Sequence, residues 1–322
     1  MAPMARHATI TTLSFCPKGA RTVAETVEQA VTWIDLAAHD KPDLIVLPEA
    51  FAAGNEQCRA SKANFCASAE PIDGPTVGRM AACARQHRCY IAAPVVLERD
   101  QKRTNSIVML DRDGQIAAVY EKNFPPIYEL ESGRNVMPGT EPTIVETDFG
   151  RVGLLICFDL NFQELRHTYE QLGPQLLVFC SLFEGGMLTR IWALLNGCYF
   201  VSSFPGNGSV FVNPLGRLLA ESSVPNSRIL TRRLNLDFQV LHGDYNQRKL
   251  DELRRHCGDR IDLELHEPEG RMLLTSTDDA TSAADVCKQL ELEPIDAFFA
   301  RSRAARSQAL AEGPIPEGPP QW

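Results

Sequence analysis

Three residues of the 322-residue chain could do chemistry together: Glu49, Lys122 and Cys157. Each stands at the end of a short, mostly apolar run. Glu49 follows DLIVLP, Lys122 follows QIAAVYE, and Cys157 closes VGLLIC ahead of Phe158-Asp159-Leu160-Asn161. A thiol needs a base to become a thiolate. A nearby ammonium favours that ion and steadies negative charge on an attacked oxygen. Each residue alone has an ordinary explanation. Buried cysteines are usually inert small hydrophobes, a glutamate after a proline can cap the next helix or loop, and lysines are common on surfaces. Convergence on one cleft would change that reading, and strand ends are where layered α/β folds gather their sites.

The flanking sequence predicts the elements that must hold these residues. Residues 8–15 (ATITTLSF) predict a strand. Residues 20–38 predict a helix, with Val23, Val27, Ala30, Val31, Ile34 and Leu36 at helical spacing. Asp43–Pro48 reads as a buried strand, 76–88 as a helix and Tyr90–Leu97 as a strand. Asn105–Leu110 and Gln115–Tyr120 flank DRDG, a hairpin signal. Val152–Cys157, Gln175–Ser181 and Tyr199–Ser203 read as strands, with helices over 161–172 and 189–198. Ser209–Val212 and Arg217–Glu221 bracket a second hairpin, and Arg228–Leu236 is a further strand. Buried strands mixed with helices and hairpins imply an α/β layered domain with mixed sheets.

The character changes after residue 237. A charged amphipathic helix is expected over 243–256, a polar acidic stretch over 264–279 and a helix over 281–311. The Pro-rich tail PIPEGPPQW at 314–322 should lack regular structure. This divides the chain into a domain over 1–236 and an extension over 237–322, packed on that domain or on a partner subunit.

Composition narrows the function classes. Hydrophobic residues make up 44% and charged residues 23%, which is ordinary for a globular chain. The net charge of −9 argues against a nucleic-acid partner. No apolar run approaches the ~18 residues of a membrane span, and MAPMARHATITTL has no secretory h-region. The ten cysteines are scattered, without a CxxC pair or zinc spacing. Reduced thiols in a cytoplasmic protein are therefore expected, with no metal site.

The segments LPEAF at 47–51, YEKNF at 120–124 and LLICFDLNFQE at 154–164 resemble the three motifs of the carbon–nitrogen hydrolase (nitrilase) superfamily. GRVG at 150–153, the strand and helix over 176–197 and NPLGRLLAE at 213–221 agree. The resemblance covers about residues 8–236. It implies a four-layer αββα sandwich, two mixed sheets flanked by helices, in which subunits pair through helices beside the nucleophile. The helices over 161–172 and 189–198 are the candidates, in a homodimer or higher homo-oligomer.

The resemblance also implies the roles. Glu49 is the general base, Lys122 steadies the oxyanion and Cys157 is the nucleophile, passing through a thioester with no cofactor. A second glutamate helps position substrate and water. Glu129 is preferred over Glu131 by its distance from Lys122, because two residues in an extended loop point the same way. Phe158 offers a backbone N–H to the oxyanion, and the segment Ser181-Leu182-Phe183-Glu184-Gly185-Gly186, with Ser181, Phe183 and Glu184 foremost, is expected to line the substrate pocket. Asp159 and Glu164 read as scaffold, and His167 as a helix-surface residue. An activated Cys157 should outreact the other nine cysteines toward alkylating agents.

Phe158-Asp159 after the cysteine resembles the amidase-like branch, whereas nitrile-cleaving branches usually carry Trp-Glu. A small-molecule amide is the first expectation, with N-carbamoyl amide and nitrile hydrolysis as alternatives. Asn123-Phe124-Pro125-Pro126 replaces the His that many members have after the lysine, so the pocket there is unusual. The alternative of another class is a catalytically silent binding or scaffold protein, against which the intact Glu–Lys–Cys set argues.

Overall fold

The buried runs and amphipathic stretches resolve into two six-stranded sheets and one three-stranded sheet. The structure, a computed structural model, describes residues 7–223, 228–278 and 280–316. The readings of the extreme N-terminus and of the tail beyond residue 316 lie outside these residues. Contacts divide the chain into two units, Met1–Leu234 and Asn235–Trp322.

The first stretch of chain carries β1 (His7–Leu13), α1 (Val23–Ala37), β2 (Leu44–Val46), α2 (Glu56–Ala60), α3 (Pro75–His87), β3 (Tyr90–Arg99), β4 (Lys102–Leu110) and β5 (Ile116–Glu121). Then come α4 (Ile127–Leu130), β6 (Ile144–Glu146), β7 (Arg151–Ile156), α5 (Gln163–Leu172), β8 (Leu176–Cys180), α6 (Met187–Asn196), β9 (Tyr199–Ser203), β10 (Val210–Val212), β11 (Leu218–Glu221) and β12 (Ile229–Asn235).

One sheet runs β12-β1-β2-β3-β4-β5 and the other β11-β10-β9-β8-β7-β6. Each has a parallel centre, β1–β2–β3 in one and β7–β8–β9 in the other, with antiparallel additions. Parallel central strands are covered on both faces, which is why β2 and β8 are apolar and buried throughout. The sheets meet through β1 and β9. There Thr12 Oγ1 donates to the Ser202 carbonyl at 2.7 Å and Ser203 Oγ to the Leu13 carbonyl at 2.8 Å. The buried hydroxyls each find a backbone acceptor, so they cost little inside this layer.

The outer layers follow from helical periodicity. Helix α1 buries Val27, Ala30, Val31 and Ile34, and with α3 joins β3 and β4 in one apolar core. Thr22 caps α1 by accepting the Glu25 N–H at 3.2 Å. Helices α5 and α6 cover the other sheet through Leu165, Tyr169, Trp192 and Ala193. The architecture is the expected four-layer αββα sandwich.

Asp111–Gly114 closes the β4–β5 hairpin, with Gly114 at φ 72° taking the left-handed position of the turn. Gly139 serves packing instead: a Cβ there would fall 2.3 Å from the Glu121 carbonyl oxygen, beside Lys122.

The second unit is a small α/β body. It comprises β13 (Phe238–His242), α7 (Leu250–Cys257), β14 (Ile261–His266), β15 (Arg271–Ser276), α8 (Ala283–Gln289) and α9 (Ile295–Glu312). Its antiparallel sheet runs β13-β15-β14, and Leu253, Cys257, Val286 and Cys287 of α7 and α8 pack on it. Two readings change here. The stretch over 264–279 holds the end of β14 and all of β15, the central strand of this sheet, where Met272, Leu273 and Leu274 are buried in succession on both faces. The helix expected over 281–311 is two helices, broken near Glu291 at φ 50° and Pro294.

Candidate active site

The candidate residues stand at the carboxyl ends of strands from both sheets. Glu49 follows β2, Lys122 follows β5, Cys157 follows β7 and Leu182 follows β8. Two backbone turns that L-residues rarely take lie at the site: Cys157 has φ 46°, and Ala50, next to Glu49, has φ 47°. Cys157 opens a short 3-10 turn, Cys157–Asn161, that leaves the strand sharply.

Glu49 and Lys122 are almost wholly buried, at 3% and 1% exposure, and make a direct ion pair. Lys122 Nζ donates to Glu49 Oε1 at 3.0 Å. Asn105 Nδ2 donates to the same oxygen at 2.7 Å, and the Leu182 N–H donates to Oε2 at 3.0 Å. The charges of Glu49 and Lys122 both act on the Cys157 thiol, which places it in the same cluster.

Burial pulls the Lys122 ammonium pKa down, but the Glu49 carboxylate, helped by Glu129, outweighs it and raises the pKa. Burial, then the Glu49 charge, pushes the Cys157 thiol up to about 12. The resting residue is therefore a neutral thiol. Its proton must leave during attack, toward the carboxylate beside it.

Glu129 joins the cluster and Glu131 does not. Lys122 Nζ lies 3.6 Å from Glu129 Oε1. Glu129 Oε2 is buried without a partner among the described residues. Burial raises the Glu129 pKa, against the pull of Lys122. The segment is helical, α4, where residues two apart diverge, so Glu129 turns inward and Glu131 stays exposed. Direction separates the two glutamates; the extended loop assumed from sequence would have left that to reach.

Asp159 is fully buried and joins two arms of the site. Its Oδ2 accepts the Tyr120 hydroxyl at 2.7 Å and the Ile156 N–H at 2.9 Å, and its Oδ1 accepts the Phe124 N–H at 2.8 Å. Phe158 is half-buried directly after Cys157, with its ring edge-on to Phe162. Glu164 is exposed, and His167 sits on the surface of α5 beside Glu170.

The 181–184 segment follows directly on β8. Ser181 is fully buried and accepts the Phe183 N–H at 2.9 Å, and the Phe183 ring packs edge-on against Phe179. Both side chains serve the turn and the core, because β8 enters the buried layer immediately before them. Glu184 is exposed, beside Gly208. The segment's direct contact with the cluster is the Leu182 backbone N–H.

Asn105 and Tyr128 were not singled out from sequence. Asn105 stands among the polar residues Lys102–Ser106 that open β4, so nothing in the sequence sets it apart. Tyr128 is largely exposed, yet partial burial and then the Glu129 charge, opposed by Lys122, raise its hydroxyl pKa. Nothing in a loop tyrosine advertises that. Among the described residues no group of His, Cys, Asp and Glu side chains could hold a metal ion.

Residues 10–238 match the family model for carbon–nitrogen hydrolases. The human omega-amidase NIT2 is 26% identical over 256 residues, covering 72% of this chain and 87% of its own. Among solved structures, Nit3 of Saccharomyces cerevisiae, a member of branch 10 of the nitrilase superfamily, superposes with a TM-score of 0.61 at 19% identity, covering 79% of this chain and 96% of its own. An amidase from Nesterenkonia sp. gives a TM-score of 0.59 at 22% identity, covering 79% and 98%. At these identities the two structures speak to the fold, while the family match spans both sheets and every residue of the cluster described above. The chain belongs to the carbon–nitrogen hydrolase family.

Proposed function

We propose that the protein hydrolyses the C–N bond of a small-molecule amide through a thioester on Cys157, with Glu49 as base and Lys122 as oxyanion partner. The observation that carries this reading is the buried Glu49 carboxylate, hydrogen-bonded to the Lys122 ammonium and near enough to Cys157 for its charge to raise the thiol pKa. The omega-amidase relative and the amidase-like fold neighbour favour an amide over a nitrile.

In the proposed sequence, the Cys157 proton passes to Glu49 as sulfur attacks the amide carbon. The carbonyl electron pair moves to oxygen, where Lys122 Nζ and the Phe158 N–H meet it. Collapse breaks the C–N bond, and Glu49 protonates the departing nitrogen. Water then gives a proton to Glu49 and attacks the thioester. The acid departs and the thiol recovers its proton. Glu129, against Lys122, holds the ammonium and faces the bound substrate.

Three coarser assignments accompany this reading. Residues 1–236 form the hydrolase domain and 237–322 the extension. All ten cysteines are free, which suits a reducing cytoplasm. Exposed Met187 and Leu195 on α6 favour a homodimer through α5 and α6, measurable by light scattering. No helix among the described residues is long and apolar enough to cross a membrane.

A panel of aliphatic amides, N-carbamoyl amides and nitriles, followed by ammonia release and acid product, tests the function. Amide turnover that vanishes in Cys157→Ala is the expected result. Faster nitrile or carbamoyl turnover would move the substrate class, and turnover retained without Cys157 would end the thioester route.

A further inference from the structure

Glu49 has two oxygens, and the structure treats them unequally. A carboxylate oxygen offers about two in-plane acceptor sites. Oε1 fills both, with Asn105 Nδ2 at 2.7 Å and Lys122 Nζ at 3.0 Å. Oε2 accepts the Leu182 N–H at 3.0 Å and keeps one site.

Asn105 is the unusual member of this arrangement. It lies in β4, where alternate side chains face opposite sides of the sheet. Ile107 and Met109 share its face, and both are fully buried and apolar. An amide placed on that face must be satisfied or it weakens the fold. Yet Asn105 satisfies only one end: Nδ2 is spent on Glu49, while Oδ1 is buried with no partner among the described residues. Its backbone carbonyl accepts the Lys122 N–H at 2.8 Å. One residue therefore fixes the start of the lysine segment through its main chain and the glutamate through its side chain. A residue present for packing alone would not leave its carbonyl oxygen unpaired.

We propose that Asn105 is a positioning residue for the reaction: with Lys122 it occupies Glu49 Oε1, so that Oε2 takes the Cys157 proton. In that step the S–H bond breaks, an O–H bond forms at Oε2, and the freed electron pair on sulfur forms the bond to the amide carbon. The inference rests on the amidase reading of the same site.

Its test has a sign. A donor to the charged form of a base favours that form, and losing the donor disfavours it. In Asn105→Ala the acid limb of kcat/KM should therefore move to higher pH, and kcat should fall ~10-fold or more, while KM changes less than about threefold. Asn105→Asp keeps the side-chain shape and places a second carboxylate against Glu49. It should move the limb further, and it keeps the test alive should the alanine variant fail to fold. Thermal unfolding confirms the folded state of each. A folded variant with the wild-type limb and a kcat within about twofold of wild type overturns the role of Asn105. Cys157→Ala and Glu49→Gln are measured alongside. If both are inert while Asn105 variants behave as wild type, only this inference falls. If Cys157→Ala still turns over, the amidase reading falls instead.

Discussion

Tyr120 donates its hydroxyl hydrogen to Asp159 at 2.7 Å, tying the strand that carries Lys122 to the turn that carries Cys157. Two residues 39 positions apart thereby hold the ammonium and the thiol to one frame.

That frame has a pH signature. Burial, opposed by the hydrogen bond from Tyr120, leaves the Asp159 carboxyl raised to about 6, against ~3.9 in an unfolded chain. The folded state thus holds this proton more tightly. The group's contribution to stability is fully present below pH ~4 and is lost as pH rises through ~6. The stability of wild type relative to Asp159→Asn should fall between pH 4 and 7, by up to ~3 kcal/mol. Denaturant titrations at four pH values measure it, and a flat difference would mean that Asp159 titrates as an ordinary surface acid.

Cys157 should not behave as a free thiolate. With its pKa pushed up to about 12, it stays protonated at pH 7 until substrate arrives. An anionic aromatic disulfide such as DTNB should react first with Cys16, the exposed cysteine, and slowly with Cys157. Mass mapping of the labelled thiols decides this. Prior labelling of Cys157 would favour the activated thiol expected from sequence, which outreacts the other nine cysteines.

Glu129→Gln should lower kcat by ~10²-fold and Glu131→Gln by less than ~10-fold. The reason is now spatial: one carboxylate lies against Lys122 and the other in solvent. The reverse ranking on a single amide would mean that α4 is wound differently in the working enzyme.

Activity should survive exhaustive EDTA treatment, because the proposed route places positive charge on the oxyanion through Lys122 and asks no Lewis acid of the protein. Loss of activity that one particular divalent ion restores would refute the route.

How much of this could be read beforehand depended on the kind of group. Glu49, Lys122 and Cys157 were legible because each ends a strand whose apolar run is visible in the chain. The layered α/β fold was legible for the same reason. The Leu182 N–H was not, since a backbone donor carries no mark in its side chain. Asn105 was hidden by its strand. Its distance of 56 positions from Glu49 is closed only when β2, β3 and β4 line up. The turn of helix at α4 was missed because four residues after two prolines are too few to show a period. The hairpin β14–β15 was masked by acidic residues on its solvent side.

The left-handed backbone at Cys157 sets activity against durability at one α-carbon. A residue with a Cβ loses roughly 1 kcal/mol at such a position, and glycine does not. Cys157→Gly should therefore outlast Cys157→Ala on heating, by on the order of 2 °C for a chain of this size. That order inverts the usual ranking of alanine over glycine. Both variants should be inert, so the comparison isolates the conformational tension that the wild-type chain carries in order to present its sulfur.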